Sequence, residues 1–161
     1  MSLLARLFSR SDPRQSMAAL YGAVVAQGRN VHWYATGKVP DTLDGRFDMI
    51  AAALSLVLLR LEHEDQAQQG AWLTELFVDD MDGQLRQIGI GDVVVGKYIG
   101  QMMSALGGRL GAYRAAFAPG GDLGEALARN LYRGEAVNAA ALAHVETRLR
   151  AFADALNVLP L

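Results

Sequence analysis

At 161 residues, 52% of them apolar and 20% charged, the chain is long enough for one domain with its own core, spanning 1–161, and too apolar for a disordered tail. Its 15 basic and 17 acidic residues leave a net charge of −2, which gives no electrostatic footprint for nucleic acid. Cysteine is absent, which excludes disulfides, cysteine-ligated zinc, iron–sulfur clusters and thiol catalysis.

The N-terminus carries Leu3, Leu4, Leu7 and Phe8 on one helical face, with Arg6 and Arg10 beside them. This stretch is too short for a secretory signal and has no small-residue cleavage site. It reads as a segment, 1–11, that is either flexible or in peripheral contact with a membrane. The longest apolar run, Met49 to Leu59, falls short of the roughly 20 residues that span a bilayer and reads as a buried helix.

Asp12 and Pro13 open a first helix with Met17, Leu20, Tyr21, Val24 and Val25 at helical spacing, ending near Gly28 and Asn30. Val31 to Ala35, with Trp33 and Tyr34 adjacent, forms a short helix or turn. Thr36 to Leu43 reads as a loop. The clearest periodicity follows: Leu43, Phe47, Ile50, Ala51, Leu54, Val57, Leu58 and Leu61 mark one face of a helix capped by Thr42 or Asp41. Ser55 lies inside that face and is expected to bond its own backbone. A second long helix is predicted over Gln66 to Gln87, and Gly89 and Gly91 break it. Asp92 is expected to cap a third, which runs to Phe117. After a turn at Pro119 to Gly121, Asp122 and Glu125 resemble a capping box for a short helix to Tyr132. A last helix is predicted from Glu135 to Leu156. No strand pattern competes, so the expected fold is all-α, an irregular bundle of about six helices.

Few motifs carry chemistry. Gly91 to Lys97 fits G-x-x-x-x-G-K, but Tyr98 stands where a phosphate-binding loop needs Ser or Thr, and no strand precedes it. Asp79, Asp80 and Asp82 fail the spacing of a calcium loop. His32, His63 and His144 are scattered and make no zinc motif, and no serine sits in a nucleophile elbow. The expectation is therefore no catalytic residue, no metal and no cofactor. The competing reading is a small-molecule or nucleotide-binding enzyme that uses the Gly91–Lys97 loop with Asp79, Asp80 and Asp82.

Two stretches exceed the needs of packing. Val39-Pro40-Asp41-Thr42-Leu43-Asp44-Gly45-Arg46-Phe47-Asp48 places charges around a loop and a helical first turn, with Gly45 there for close backbone approach. The other runs from Phe77-Val78-Asp79-Asp80-Met81-Asp82 through Arg86 to Gly91-Asp92 and Gly96-Lys97. With Tyr21-Gly22-Ala23-Val24-Val25-Ala26-Gln27, these blocks closely resemble the ubiquinol–cytochrome c chaperone family, in the family's order, from about Met17 to Phe117.

The resemblance implies an assembly chaperone for the respiratory cytochrome bc1 complex that holds newly made cytochrome b. Mitochondrial members act with a small helical partner protein. The short N-terminus is in keeping with a bacterial form in the cytoplasm, in contact with the cytoplasmic face of the inner membrane. The residues expected to face a partner are Tyr21, Tyr34, Asp41, Asp44, Arg46, Asp48, Asp79, Asp80, Asp82, Arg86, Asp92 and Lys97. Such a chaperone needs an apolar groove with a polar rim rather than a reactive group.

Overall fold

The computed structural model describes residues 12–160. The predicted membrane-contact residues Leu3, Leu4, Leu7 and Phe8 lie outside the described residues. A 3-10 turn, Pro13–Met17, leads into α1 (Ala18–Gly28) and the one-turn α2 (Val31–Ala35). Then follow α3 (Leu43–His63), α4 (Ala67–Gln87), α5 (Asp92–Phe117), α6 (Leu123–Asn130) and α7 (Ala139–Val158). The fold is all-α, with six helices longer than one or two turns among the described residues and no strand there. No helix among them is long and apolar enough to cross a membrane.

α3 is the axle. The sequence pattern predicted one apolar face, yet every residue from Phe47 to Val57 is buried. A helix apolar all round belongs inside a protein, and here α1, α4, α5 and α7 pack around it. Thr42 caps α3 by accepting from the Gly45 N–H at 3.1 Å. Two glycines set how the helix is approached. A Cβ on Gly45 would stand 1.8 Å from the Pro40 carbonyl oxygen, so the loop can lie on the first turn of α3 only because none is present. A Cβ on Gly28 would meet Ile50 at 2.7 Å, which fixes the close crossing of α1 and α3. Inside the helix, the Ser55 hydroxyl donates to the Ala51 carbonyl at 2.7 Å, as its position suggested.

The structure differs from the sequence reading at several ends. Asp12 caps the first turn as the sequence suggested, accepting from the Arg14 N–H, but that turn, Pro13–Met17, is 3-10 and the α-helix begins only at Ala18. Asp92 is the first residue of α5 rather than its cap, a place taken by Gly91 in extended conformation. α6 stops at Asn130, before Tyr132. α7 starts at Ala139, not Glu135. Arg133 and Gly134 hold left-handed φ angles of 54° and 79°, and the Asn138 side chain caps the helix by accepting from the Ala141 N–H. Leu43, read as part of the inward face, is 56% exposed at the first residue of α3.

Candidate functional site

The start of α3 and the end of α4 meet at one surface, together with the end of α1 and the middle of α5. Between them lies a groove of about 220 Å³. Its floor is Phe47 and Ile50 from α3, Met81 and Leu85 from α4, and Met102 from α5. Its lips are the exposed side chains of Leu43 and Ile88. Arg29, Asp44, Arg46, Gln84 and Gln87 make a polar rim. Val94 and Tyr98 are exposed on the helical row that ends at Met102, so they prolong the apolar track along α5. A more open depression of about 400 Å³ between α3 and α7 mixes Arg60, His63, Arg150, Asp154 and Asn157 with Leu56, Leu59, Phe117, Ala153 and Leu156, and none of these belongs to the two sequence blocks. The smaller groove unites an apolar floor with both sequence blocks and is the candidate site.

The charged residues named from sequence divide into three groups. The first stands at the groove: Asp44 and Arg46 on its rim, with Asp41 bonded to the Arg46 Nε at 2.7 Å. Arg133, from the turn after α6, reaches Asp44 at 3.1 Å. The second group is tied down elsewhere on α4. Asp79 holds Arg14 at 2.8 Å, and Asp80 accepts from the Tyr21 hydroxyl at 2.6 Å and from Gln84 at 3.0 Å. Burial and then the Asp80 carboxylate push the Tyr21 phenol well above its usual value, so Tyr21 remains a donor. The third group closes the α4–α5 turn, where Arg86 pairs with Asp82 at 2.6 Å and with Asp92. Lys97 makes no ion pair among the described residues and is exposed.

Asp48 corrects the sequence reading. It is completely buried and cannot meet a partner. Its carboxylate binds Arg109 of α5, and Arg133 at 2.6 Å through Nε. Arg109 in turn lies 5.5 Å from the centre of the Phe47 ring, a floor residue of the groove. These partners stand 61 and 85 residues downstream, and no local pattern announces them. Tyr34 is also engaged internally: its hydroxyl donates to the Gly28 carbonyl at 2.6 Å, and burial pushes its pKa above the ordinary phenol value, which keeps it a donor. Beside it, the buried Trp33 Nε1 donates to the Gln27 carbonyl at 2.7 Å.

The competing nucleotide loop has no counterpart. Residues 92–97 are the first turns of α5, and a helix, not a strand, comes before them. The acidic cluster is dispersed, Asp79 and Asp82 into separate ion pairs and Asp80 into hydrogen bonds with Tyr21 and Gln84, and no three His, Asp or Glu side chains converge on a metal-sized site among the described residues.

Comparison with known proteins agrees with the motif blocks. The family model described as "Ubiquinol-cytochrome C chaperone" matches residues 35–160. The chain belongs to that family. The match extends through α6 and α7, so family character continues past Phe117, where the visible blocks ended. The crystal structure of the Cbp3 homolog from Brucella abortus is similar over 98% of this chain and 90% of that one, at 28% identity and a TM-score of 0.77. A comparison with curated proteins finds no match. Membership in a chaperone family supports a chaperone role, with a client protein as its natural partner.

Proposed function

We propose that this family member binds newly made cytochrome b and holds it for assembly into the cytochrome bc1 complex, with no catalytic step. The observation that carries the proposal is the apolar groove between α3, α4 and α5, open to solvent and lipped by Leu43 and Ile88. Cytochrome b is a membrane subunit, and an unassembled membrane segment presents a helix whose side chains need cover from water. A helix laid into an apolar groove is a common recognition mode. Asp41, Asp44, Arg46, Asp82, Arg86, Asp92 and Lys97 then form the surround that meets polar parts of the client or of a small helical partner. In this reading Leu3, Leu4, Leu7 and Phe8 keep the chain at the cytoplasmic face of the inner membrane.

The test is photocrosslinking in cells with the photoreactive residue at Ile88 and, as control, at Arg150 in the depression against α7. We expect capture of cytochrome b from position 88 only. Capture from both positions alike, or of no membrane protein from position 88, overturns the reading.

A further inference from the structure

One charge lining the groove has no ion pair among the described residues. Arg29 follows α1 directly and lines both the groove and the neighbouring hollow formed with Tyr34, Asp41 and Arg46. It is exposed and makes no ion pair or side-chain hydrogen bond among the described residues. An arginine at a helix C-terminus ordinarily covers the last carbonyls. Here that work is already taken: the Trp33 indole holds the Gln27 carbonyl and the Tyr34 hydroxyl holds the Gly28 carbonyl. Arg29 is thereby left free to reach outward.

The other rim charges are compensated. Arg46 is matched by Asp41, and Asp44 by Arg133. At the far end, Asp82 and Asp92 balance Arg86 and Lys97 in number, and Arg86 bonds both acids. Of the charged residues that line the groove, Arg29 is thus the one without an ion pair among the described residues, at the α1 end of an apolar floor, while Asp80, which has no cationic partner there either, is held by Tyr21 and by Gln84 of the rim. Its volume of about 220 Å³ lies below the roughly 300–1,000 Å³ of enclosed small-molecule sites. It suits the anchor side chains of a docked helix.

We propose that the groove selects an apolar helix bearing an acidic side chain at one end, and that Arg29 is the residue that receives that carboxylate. This rests on the client-binding reading of the groove and adds a specificity element to it. Arg29 supplies planar, always-charged donors for a carboxylate, while Phe47, Ile50, Leu85 and Met102 take the apolar face that follows.

The experiment uses the full chain and three labelled peptides, titrated by fluorescence polarisation at low and high salt. Each is a soluble 16-residue helix of Leu and Gln with one apolar stripe, ending in Glu, Gln or Lys. We expect the Glu peptide to bind about tenfold tighter than the Gln peptide at low salt, and the Lys peptide to be weakest. The preference should shrink in high salt, vanish in Arg29→Gln and persist in Arg29→Lys. Because Arg29 is exposed and makes no ion pair among the described residues, Arg29→Gln should melt with the wild type, which keeps the comparison clean.

Equal binding of the Glu and Gln peptides, or a preference that survives Arg29→Gln, overturns the role of Arg29 and leaves the groove reading intact. Failure of all three peptides to bind overturns the groove reading and this inference with it. Vesicles of neutral phosphatidylcholine, with and without phosphatidylglycerol, provide the last arm. Binding to the anionic vesicles that needs Arg29, with no peptide preference, would assign the arginine to lipid and also overturn the proposal.

Discussion

Two regions of this molecule invert the usual rule of burial, in opposite directions. Around Asp48 a charge is fully buried where an apolar residue would be ordinary. Around the α4–α5 turn, Ile88, Val93, Val94 and Tyr98 are exposed where polar residues would be ordinary; Val93 is 95% accessible. The first inversion is closed within the chain, since Arg109 and Arg133 satisfy both carboxylate oxygens. The second is open, because nothing in the described chain covers those side chains. A buried charge with complete partners fixes an arrangement. An exposed apolar set beside an apolar groove leaves an interaction unmade, and that difference separates framework from working surface.

The largest effect should come from Asp48→Ala. Removing the acid leaves Arg109, itself mostly buried, without its partner, and breaking such a pair costs about 3–5 kcal/mol. Urea unfolding would read this directly, and a loss below about 1 kcal/mol would mean that water or a shifted arginine replaces the carboxylate. Gly45→Ala comes next. The new methyl must displace the Pro40 carbonyl from the first turn of α3, an overpacking cost of about 1–3 kcal/mol in the same assay. An unchanged midpoint would show that the loop gives way freely.

The open region should respond in the other manner. Ile88→Ser and Tyr98→Ser are expected to leave stability within about 0.5 kcal/mol of wild type, as surface changes do. Client capture, read from a photoreactive residue at Leu43 on the other lip of the groove, should fall sharply in both. Loss of stability without loss of capture would exchange the roles of the two regions.

The smallest effect concerns pH. His32 Nδ1 and His144 Nε2 stand 3.1 Å apart and share a hydrogen bond between α2 and α7. Burial first, then Arg148 and His144, hold the His32 imidazole below its ordinary 6.5. The folded state thus binds its proton less readily than the unfolded state. The stability from this contact is complete above about pH 6.5 and declines as pH falls through the lowered value. Melting temperatures between pH 8 and 5 should drop more for wild type than for His32→Gln. Equal slopes would remove His32 as the cause.

Local features of the fold were legible in the sequence. The 3-4 spacing placed α3, α4 and α5, Thr42 and Asp122 were readable caps, and Gly45 was correctly tied to a close approach. α7 was placed too early because the left-handed turn at Arg133 and Gly134 leaves little trace in a stretch without proline. The site was legible only in pieces. Asp44, Arg46 and the end of α4 were named, but the groove needs four helices to exist, and Arg29 lay in no block. Asp48 reads as partner-facing in the sequence because it stands in the second turn of α3 close after Asp44 and Arg46, and no local pattern shows its distant partners Arg109 and Arg133.

The ion pair from Asp48 to Arg133 also sets a clock. Asp48 leaves the ribosome 85 residues before Arg133. At about 5–20 residues per second, roughly 4–17 s pass before that arginine is made. Until Arg109 is made the nascent chain holds α3 with an acid that has no cationic partner, and until Arg133 is made Asp44 on the groove rim has no tether. The rim of the groove is thus completed only once the turn after α6 has been synthesised, although the residues of its floor and lips have all been made once Met102 is added.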